Sequence, residues 1–231
     1  MNIAVVSAFR NMVGPRLLRY FDQVQTLQHA LQSRGPFGLR MIAGEGDSTD
    51  DTRRHLGKVA GSLGLPIEVV DCAHRGPVFG STEAPERMKA LSYVCNTMLS
   101  AVRQEDDIVF YVESDLVWDA FTVCALINAA VEREGGFDVF APMVFAGRAF
   151  YDIWGFRKYG QRFNSLPPYH PELTNGHPVE LDSAGSCLVM RGEIARNVRI
   201  TNDYALVGWC DNARKQGYKI AVHPQLWISH P

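Results

Sequence analysis

The feature that most constrains this chain is the alternation of short apolar runs with helix-like segments over residues 1–145. The strand-like runs are IAVVS (3–7), LRMIAG (39–44), PIEVVDC (66–72), IVFYV (108–112) and FDVFAPMVF (137–145). Amphipathic segments lie between them, and the first is bounded by Pro15 and Gly35, residues that favour a helix start and stop. This order predicts an α/β protein whose mostly parallel central sheet is flanked by helices on both faces.

The rhythm changes after residue 145. Residues 147–178 are aromatic, basic and rich in turn formers. They are followed by a strand-like segment with a small-residue break at 179–192, a helix-like segment at 203–218 and a last strand at 219–231. The 231 residues contain no linker or internal repeat, so we expect one domain over 1–231 with a smaller elaboration in its C-terminal half.

Charge and cysteine content narrow the function classes. A formal net charge of -2 gives no bulk attraction to nucleic acid or anionic membranes. The five cysteines are odd in number, far apart and without a C-x-x-C motif, which favours free thiols in a reducing compartment. No apolar stretch is long enough to span a bilayer, and we expect a soluble, cytoplasmic protein.

Polar residues follow three of the predicted strands: SAFRN (7–11), GEGDSTDD (44–51) and ESD (113–115). Open parallel sheets bind ligands at these carboxyl ends. The glycine-rich phosphate loops of dinucleotide-binding and P-loop proteins are both missing from the sequence. A divalent cation held by Glu113 and Asp115 is the alternative way to neutralise phosphates. Equally open is the interpretation that these two carboxylates cap the next helix.

The combination of GEGDSTDDT (44–52) with ESD (113–115) resembles the glycosyltransferase A-fold (GT-A) superfamily, whose members often carry D-D-G-S-T-D-x-T-like and D-x-D segments. Within it, three further segments resemble the fungal capsule-associated and Golgi α-mannosyltransferases. They are RMKALSYVCNTML (87–99), FAPMVFAGRAFYDIWGFRKYG (140–160) and DSAGSCLVMRGEIAR (182–196). The resemblance implies a hexosyltransferase that uses Mn²⁺ or Mg²⁺ and a UDP- or GDP-sugar. It also implies a nucleotide-sugar-binding half at 1–118 and an acceptor-side half at 119–231.

On the donor side the resemblance implies metal ligation by Asp115, with Glu113 and His230 as further ligands. Glu113 replaces the usual Asp, so it could instead contact ribose or sugar hydroxyls. The alternative for His230 is a frayed terminal residue with no role in metal binding. Glu45 matches the residue that accepts an N–H from uracil or guanine. The other expected donor contacts are Ala8, Phe9, Arg10, Arg87 and Ser114, with Lys89 as a second candidate for assisting the leaving diphosphate. An ion pair between Arg10 and Glu45 is an equal alternative.

On the acceptor side the expected substrate contacts are Tyr151, Asp152, Trp154, Arg157 and Asp182. An inverting enzyme needs a carboxylate base, for which Asp203 and Asp211 are the candidates. The mannosyltransferases that the chain resembles retain configuration and need no such base, so the stereochemistry stays open.

Two other functions compete with a glycosyltransferase. A nucleotidyltransferase would need a glycine-rich basic loop after the first strand, and SAFRNMVGPR (7–16) matches that poorly. The second is a non-catalytic sugar- or nucleotide-binding module. The acceptor is open between glycan, lipid-linked sugar, protein and a hydroxylated nucleic-acid base. Nucleic acid is expected only as that acceptor, on a basic face at 148–162, and no membrane partner is expected.

Overall fold

A computed structural model describes residues 1–77, 79 and 83–231 of the chain. Residue 78 and residues 80–82, within a polar segment at 74–86 that the sequence predicts as a loop with Gly and Pro, lie outside the described residues. The strands of the main sheet are β1 (Asn2–Phe9), β2 (Gly38–Glu45), β3 (Ile67–Asp71), β4 (Ile108–Val112), β5 (Val139–Ala146), β6 (Ala149–Phe150), β9 (Val179–Leu181), β10 (Cys187–Arg191) and β11 (Ile220–Ser229). A small hairpin is formed by β7 (Arg157–Lys158) and β8 (Gln161–Arg162).

The sheet has the order β3-β2-β1-β4-β10-β5-β11-β9, with β6 paired to β5. Strands β3, β2, β1 and β4 are parallel to one another, and β11 is parallel to β5. Strand β10 runs antiparallel to both β4 and β5, so β5 points the same way as β4. The mostly parallel α/β sheet predicted from the sequence is therefore confirmed, and the carboxyl ends of six strands share one edge.

In the described part of the chain, six α-helices cover the sheet: α1 (Pro15–Gln32), α2 (Thr52–Ser62), α3 (Pro85–Ser100), α4 (Ala120–Glu132), α5 (Gly192–Asn197) and α6 (Ala205–Lys215). Side chains of α1, α2 and α4 pack into one hydrophobic core, and those of α3, α5 and α6 pack into a second. Strand β1 shows why its sequence is continuously apolar. Ile3 and Val5 face the first core, while Ala4 and Val6 face the second, and all four are fully buried.

The segment predicted as one strand at 179–192 is two strands in different places. Strand β9 pairs with β11 at the sheet edge, whereas β10 lies between β4 and β5. The small residues between them allow the chain to cross, with Ser186 in a left-handed backbone conformation at φ 56°. The small-residue break was predicted, but the separation of its two sides was not, because a strand's apolar pattern does not say which neighbours it pairs with.

Strand β11 is irregular between His223 and Trp227, around Pro224, and its register on β5 shifts there. Beyond the shift it continues to Ser229, and the amide of His230 still donates to the carbonyl of Phe145 at 2.7 Å. Among the described residues, no helix combines the length and apolar character needed to cross a bilayer. All five cysteines lie within the described residues and are buried free thiols.

Candidate functional site

The E-S-D segment forms a turn where β4 leaves the sheet. The amide of Glu113 donates to the carbonyl of Ser186 at 2.9 Å, and the amide of Leu116 donates to the carbonyl of Glu113 at 3.2 Å. The two carboxylates do not cap α4. Asp119 does so, accepting the backbone amide of Thr122 at 2.9 Å and its hydroxyl at 2.8 Å.

A cleft of about 400 Å³ opens at the carboxyl ends of β1, β2 and β4, with α3 as one wall. It brings together most residues predicted for the donor: Ala8, Phe9, Arg10, Arg87, Glu113, Ser114 and Asp115. Sequence reasoning missed Arg16, His74 and Phe79, which also line it. Arg16 is one residue beyond the helix-starting Pro15. A cation in the first turn after a strand-end loop is the signal that could have found it.

Glu45 lies at the end of β2, opposite Phe9 of β1 in register. Its side chain is buried, with Oε2 3.5 Å from the guanidinium of Arg53 and Oε1 without a hydrogen-bond partner among the described residues. The alternative pair of Glu45 with Arg10 is not formed, because Arg10 donates to the carbonyls of Gly76 and Pro77 at 3.3 and 3.4 Å. Glu45 therefore keeps one acceptor oxygen beside the cleft, although its neighbours Gly44 and Gly46 are the residues that line it.

Asp115, His230 and Tyr151 are in contact. Nε2 of His230 lies 3.3 Å from Oδ2 of Asp115, and the imidazole stacks on the Tyr151 ring with centroids 3.9 Å apart and planes 15° apart. Oδ1 of Asp115 is buried without a hydrogen-bond partner among the described residues. A carboxylate oxygen and an imidazole nitrogen suit Mn²⁺, and the unpartnered oxygen fits a role in binding a cation. Within the described residues, however, no three His, Cys, Asp or Glu side chains converge as a ready-made metal site. The three predicted ligands Asp115, Glu113 and His230 are thus not brought together as one set.

Burial raises the pKa of Glu113 to about 8, and the charges of Asp115 and Asp152 act in the same direction while Arg87 opposes them. Burial also raises the pKa of Asp152 to about 6, against hydrogen bonds from Ser186 and Gly155. Carboxyl groups are therefore crowded where the strands end, which favours their neutral forms, and a bound cation would favour the ionised forms.

A second cavity, of about 280 Å³, adjoins the cleft and shares Arg87, Tyr111 and Glu113 with it. We call it the inner cavity. Tyr151, Asp152 and Trp154 line it, as predicted for substrate contacts. Asp152 is fixed there by the amide of Gly155 at 3.1 Å and the hydroxyl of Ser186 at 2.8 Å.

A third cavity, of about 590 Å³, continues outward from the inner one, sharing Glu83, Met88 and Trp154 with it. We call it the outer cavity. Asp203, a predicted base candidate, lines it together with Tyr204. Asp211, the other candidate, is on α6 with its carboxylate 3.4 Å from the amide nitrogen of Asn202, and it lines none of the three cavities.

Two predicted substrate contacts have protein partners instead. Asp182 accepts the amide of Gly160 at 2.6 Å and pairs with Arg214 at 3.1 Å. The guanidinium of Arg157 lies over the rings of Trp154 and Tyr204, 5.5 and 5.6 Å from their centroids. Neither residue lines any of the three cavities.

The basic stretch at 148–162 does not form the open basic face considered for nucleic acid. Lys158 is buried, contacting Glu172 at 3.0 Å and the carbonyl of Glu180 at 2.9 Å. Arg162 pairs with Glu83 at 2.9 Å, and Arg157 is occupied by the aromatic rings. Among these cations Arg148 is exposed on a turn. The prediction of a basic face fails because spacing along the chain does not reveal such partners.

No protein-family profile matches the sequence, and no curated protein matches it significantly. Solved structures do. S. aureus TarS 1–349 in complex with UDP-GlcNAc matches with a TM-score of 0.54 at 13% identity, covering 99% of this chain and 58% of that one. Glucosyl-3-phosphoglycerate synthase from Mycobacterium tuberculosis with Mg²⁺ and UDP matches with a TM-score of 0.55 at 16% identity, covering 100% of this chain and 71% of that one. The same synthase with Mn²⁺, UDP and phosphoglyceric acid gives 0.52 at 16% identity, covering 100% of this chain and 70% of that one.

This chain has the GT-A fold. It spans 58% of the length of the TarS chain, so these likenesses establish architecture and not activity. In the GT-A fold of this protein the E-S-D turn, the cleft and the inner cavity all lie at the carboxyl edge of the parallel strands. The narrower likeness to fungal mannosyltransferases stays a prediction from sequence.

Proposed function

We propose that this protein is a metal-dependent glycosyltransferase that moves a sugar from a nucleoside-diphosphate sugar to an acceptor hydroxyl. One observation carries the proposal: the E-S-D turn lies where two connected cavities meet. Glu113 lines both of them, and Asp115 contacts His230 through Oδ2 while its buried Oδ1 has no hydrogen-bond partner among the described residues. The GT-A fold and UDP-bound neighbours support a nucleotide in the cleft.

The roles follow from position. The cleft takes the nucleotide, and the free oxygen of Glu45 accepts an N–H of uracil or guanine. Asp115 and His230 would hold Mn²⁺ or Mg²⁺, which would stabilise negative charge on the diphosphate. Arg87, shared by the cleft and the inner cavity, supplies positive charge near the departing phosphate. In this division residues 1–118 provide most of the donor site and residues 119–231 most of the acceptor site.

In the reaction the bond from sugar C1 to the β-phosphate oxygen breaks, and a bond forms between C1 and the acceptor oxygen. The acceptor hydroxyl loses its proton, and the nucleoside diphosphate leaves with the bonding pair. If configuration inverts, Asp152 is better placed than Asp203 or Asp211 to take the proton, since it shares the inner cavity with Glu113. If configuration is retained, the leaving phosphate takes it. The anomeric proton coupling of the product, measured by NMR, decides between them.

The test is nucleotide binding and turnover with and without Mn²⁺. Isothermal titration with UDP and GDP, and donor hydrolysis by released nucleotide, are measured for the native protein, Asp115→Asn and Asp22→Asn. Asp22 is an exposed carboxylate on α1 and serves as the matched control. We expect Asp115→Asn to lose Mn²⁺-dependent binding and at least about 100-fold in turnover, as for loss of one transition-state contact, with the control unchanged.

Two results would contradict the proposal. If the native protein and Asp115→Asn bound the nucleotide equally, with and without Mn²⁺, Asp115 would not be a metal ligand. Tight binding of a nucleotide sugar without hydrolysis or transfer to any acceptor would favour the non-catalytic module.

A further inference from the structure

Trp154 and Tyr204 form an aromatic surface on the wall of the outer cavity. Their rings lie 5.6 Å apart with planes 31° apart, and both residues line that cavity. Trp154 also lines the inner cavity, so the surface leads from the outside to the carboxylates of Glu113 and Asp152.

Arg157 holds this aromatic surface in place. Its guanidinium lies over both rings, a favourable contact because aromatic faces carry partial negative charge. Nε of Arg157 is buried without a hydrogen-bond partner among the described residues, so the rings are the main contact described for its guanidinium. A fixed aromatic face costs little entropy when a ligand packs on it.

The charged residues around the outer cavity are mostly acidic. Glu83, Glu86 and Asp203 line it, against Lys89 as the cation among the described lining residues. A nucleic-acid backbone brought here would meet like charge, and affinity for nucleic acid depends on cations that neutralise phosphates. Three of the four cations of 148–162 do not supply them, because Lys158, Arg162 and Arg157 are occupied by Glu172, Glu83 and the rings.

Resting on the proposed function, we propose that the outer cavity is an acceptor subsite for a neutral carbohydrate. The polarised C–H bonds of a pyranose ring pack on the negative aromatic faces of Trp154 and Tyr204. Sugar hydroxyls donate to the carboxylates of Asp203 and Glu86 and exchange hydrogen bonds with the amide of Asn202. The volume of about 590 Å³ lies in the usual range for small-ligand sites.

The experiment compares acceptor classes with one donor, chosen as the nucleotide sugar that the native protein hydrolyses in Mn²⁺. The acceptors are methyl α- and β-glycosides of neutral hexoses and N-acetylhexosamines, their disaccharides, and duplex DNA containing 5-hydroxymethylcytosine. Product mass and nucleotide release are measured for the native protein, Trp154→Ala, Trp154→Phe and Trp227→Ala. Trp227 is 60% exposed on β11 and lines none of the three cavities, which makes it the matched control.

We expect transfer to at least one glycoside and none to DNA. Trp154→Ala should raise the KM for the glycoside about tenfold or more, a larger factor than any change in the donor KM. Trp154→Phe should recover part of the loss, and the Trp227 control should behave as native.

Transfer to DNA, or an unchanged glycoside KM in Trp154→Ala, would overturn the proposal. So would donor hydrolysis without transfer to any glycoside of the panel. Absence of both nucleotide binding and donor hydrolysis would contradict the proposed function instead, so the two failures are distinguishable.

Discussion

The carboxylate of Asp152 is buried and still accepts hydrogen bonds at both of its oxygens. Two glycines make this possible, because a Cβ on Gly155 or Gly185 would lie 2.8 or 2.7 Å from its oxygens. The sequence predicted Asp152 as a site residue from its place in FYDIW, but its donors Gly155 and Ser186 could not be predicted. Ser186 reaches Asp152 because the chain crosses there from β9 to β10. The sequence predicted these two strands as one strand-like segment with a small-residue break.

The raised pKa of Asp152 predicts that the stability of the fold depends on pH. The pKa rises from an ordinary value of 3.8 to about 6, so the folded state binds the proton more tightly than the unfolded state. Between these two values the contribution of Asp152 to stability falls as pH rises, by up to about 3 kcal/mol. In Asp152→Asn that loss is absent, and the Ser186 hydroxyl can turn to accept from the new amide.

Urea unfolding of the metal-free native protein and Asp152→Asn at pH 4 and pH 7 measures this. The free energy of unfolding of the variant minus that of the native protein should be larger at pH 7 than at pH 4, since only the native protein loses stability over this range. Identical differences at the two pH values would show that Asp152 titrates normally.

At the scale of elements, the loops after β2 and β3 press against each other beside the cleft. A Cβ at Gly46 would lie 2.2 Å from the backbone nitrogen of Ala73, and the amide of Cys72 donates to the carbonyl of Glu45 at 2.9 Å. The strand-helix rhythm predicted β2 and β3 to within one residue at each end, since a short apolar run bounded by polar segments marks a strand locally. The contact between their loops could not be predicted, because it depends on the twist and spacing of paired strands.

Gly46→Ala therefore should push the two loops apart. We expect a loss of about 1–3 kcal/mol in stability, as for other overpacked sites, and weaker nucleotide binding because Gly46 lines the cleft. Gly57→Ala in α2 is the control, since a Cβ there meets nothing within 4 Å. It should stabilise the protein by about 0.5–1 kcal/mol. Thermal unfolding and UDP titration measure both effects, and equal stability of the two variants would refute the packing argument.

At the scale of the whole molecule, the polar side chains at the two edges of the sheet differ in their hydrogen bonding. At the carboxyl edge, Glu45 Oε1 and Asp115 Oδ1 have no hydrogen-bond partner among the described residues. At the opposite edge Arg40 donates to both oxygens of Asp106, at 2.9 and 2.6 Å, and to the carbonyl of Ala101 at 2.8 Å. The overall α/β architecture could be predicted from sequence because the apolar alternation records it. The partners of charged residues such as Arg40 and Lys158 could not, because each is distant along the chain.

Arg40→Met should destabilise the protein by about 3–5 kcal/mol, since it leaves the buried carboxylate of Asp106 without its cation. Arg103→Met is the matched control, because Arg103 is half-exposed and its ion pair with Glu68 at 2.9 Å should contribute less than about 1 kcal/mol. Urea denaturation gives both values, with UDP affinity of the folded fraction expected to be native in each. A loss of UDP affinity in Arg40→Met would show that the two edges are coupled.

The position of β11 between β5 and β9 has a consequence for the order of synthesis. While the protein is being made, β1, β2, β3 and β4 leave the ribosome first and can pair with one another. Asp115 cannot meet His230 until the last strand has been made and has docked on β5. A nascent chain would thus possess the strands and helix that form the cleft well before it had the imidazole that adjoins Asp115, and in the function proposed above the metal site would form late.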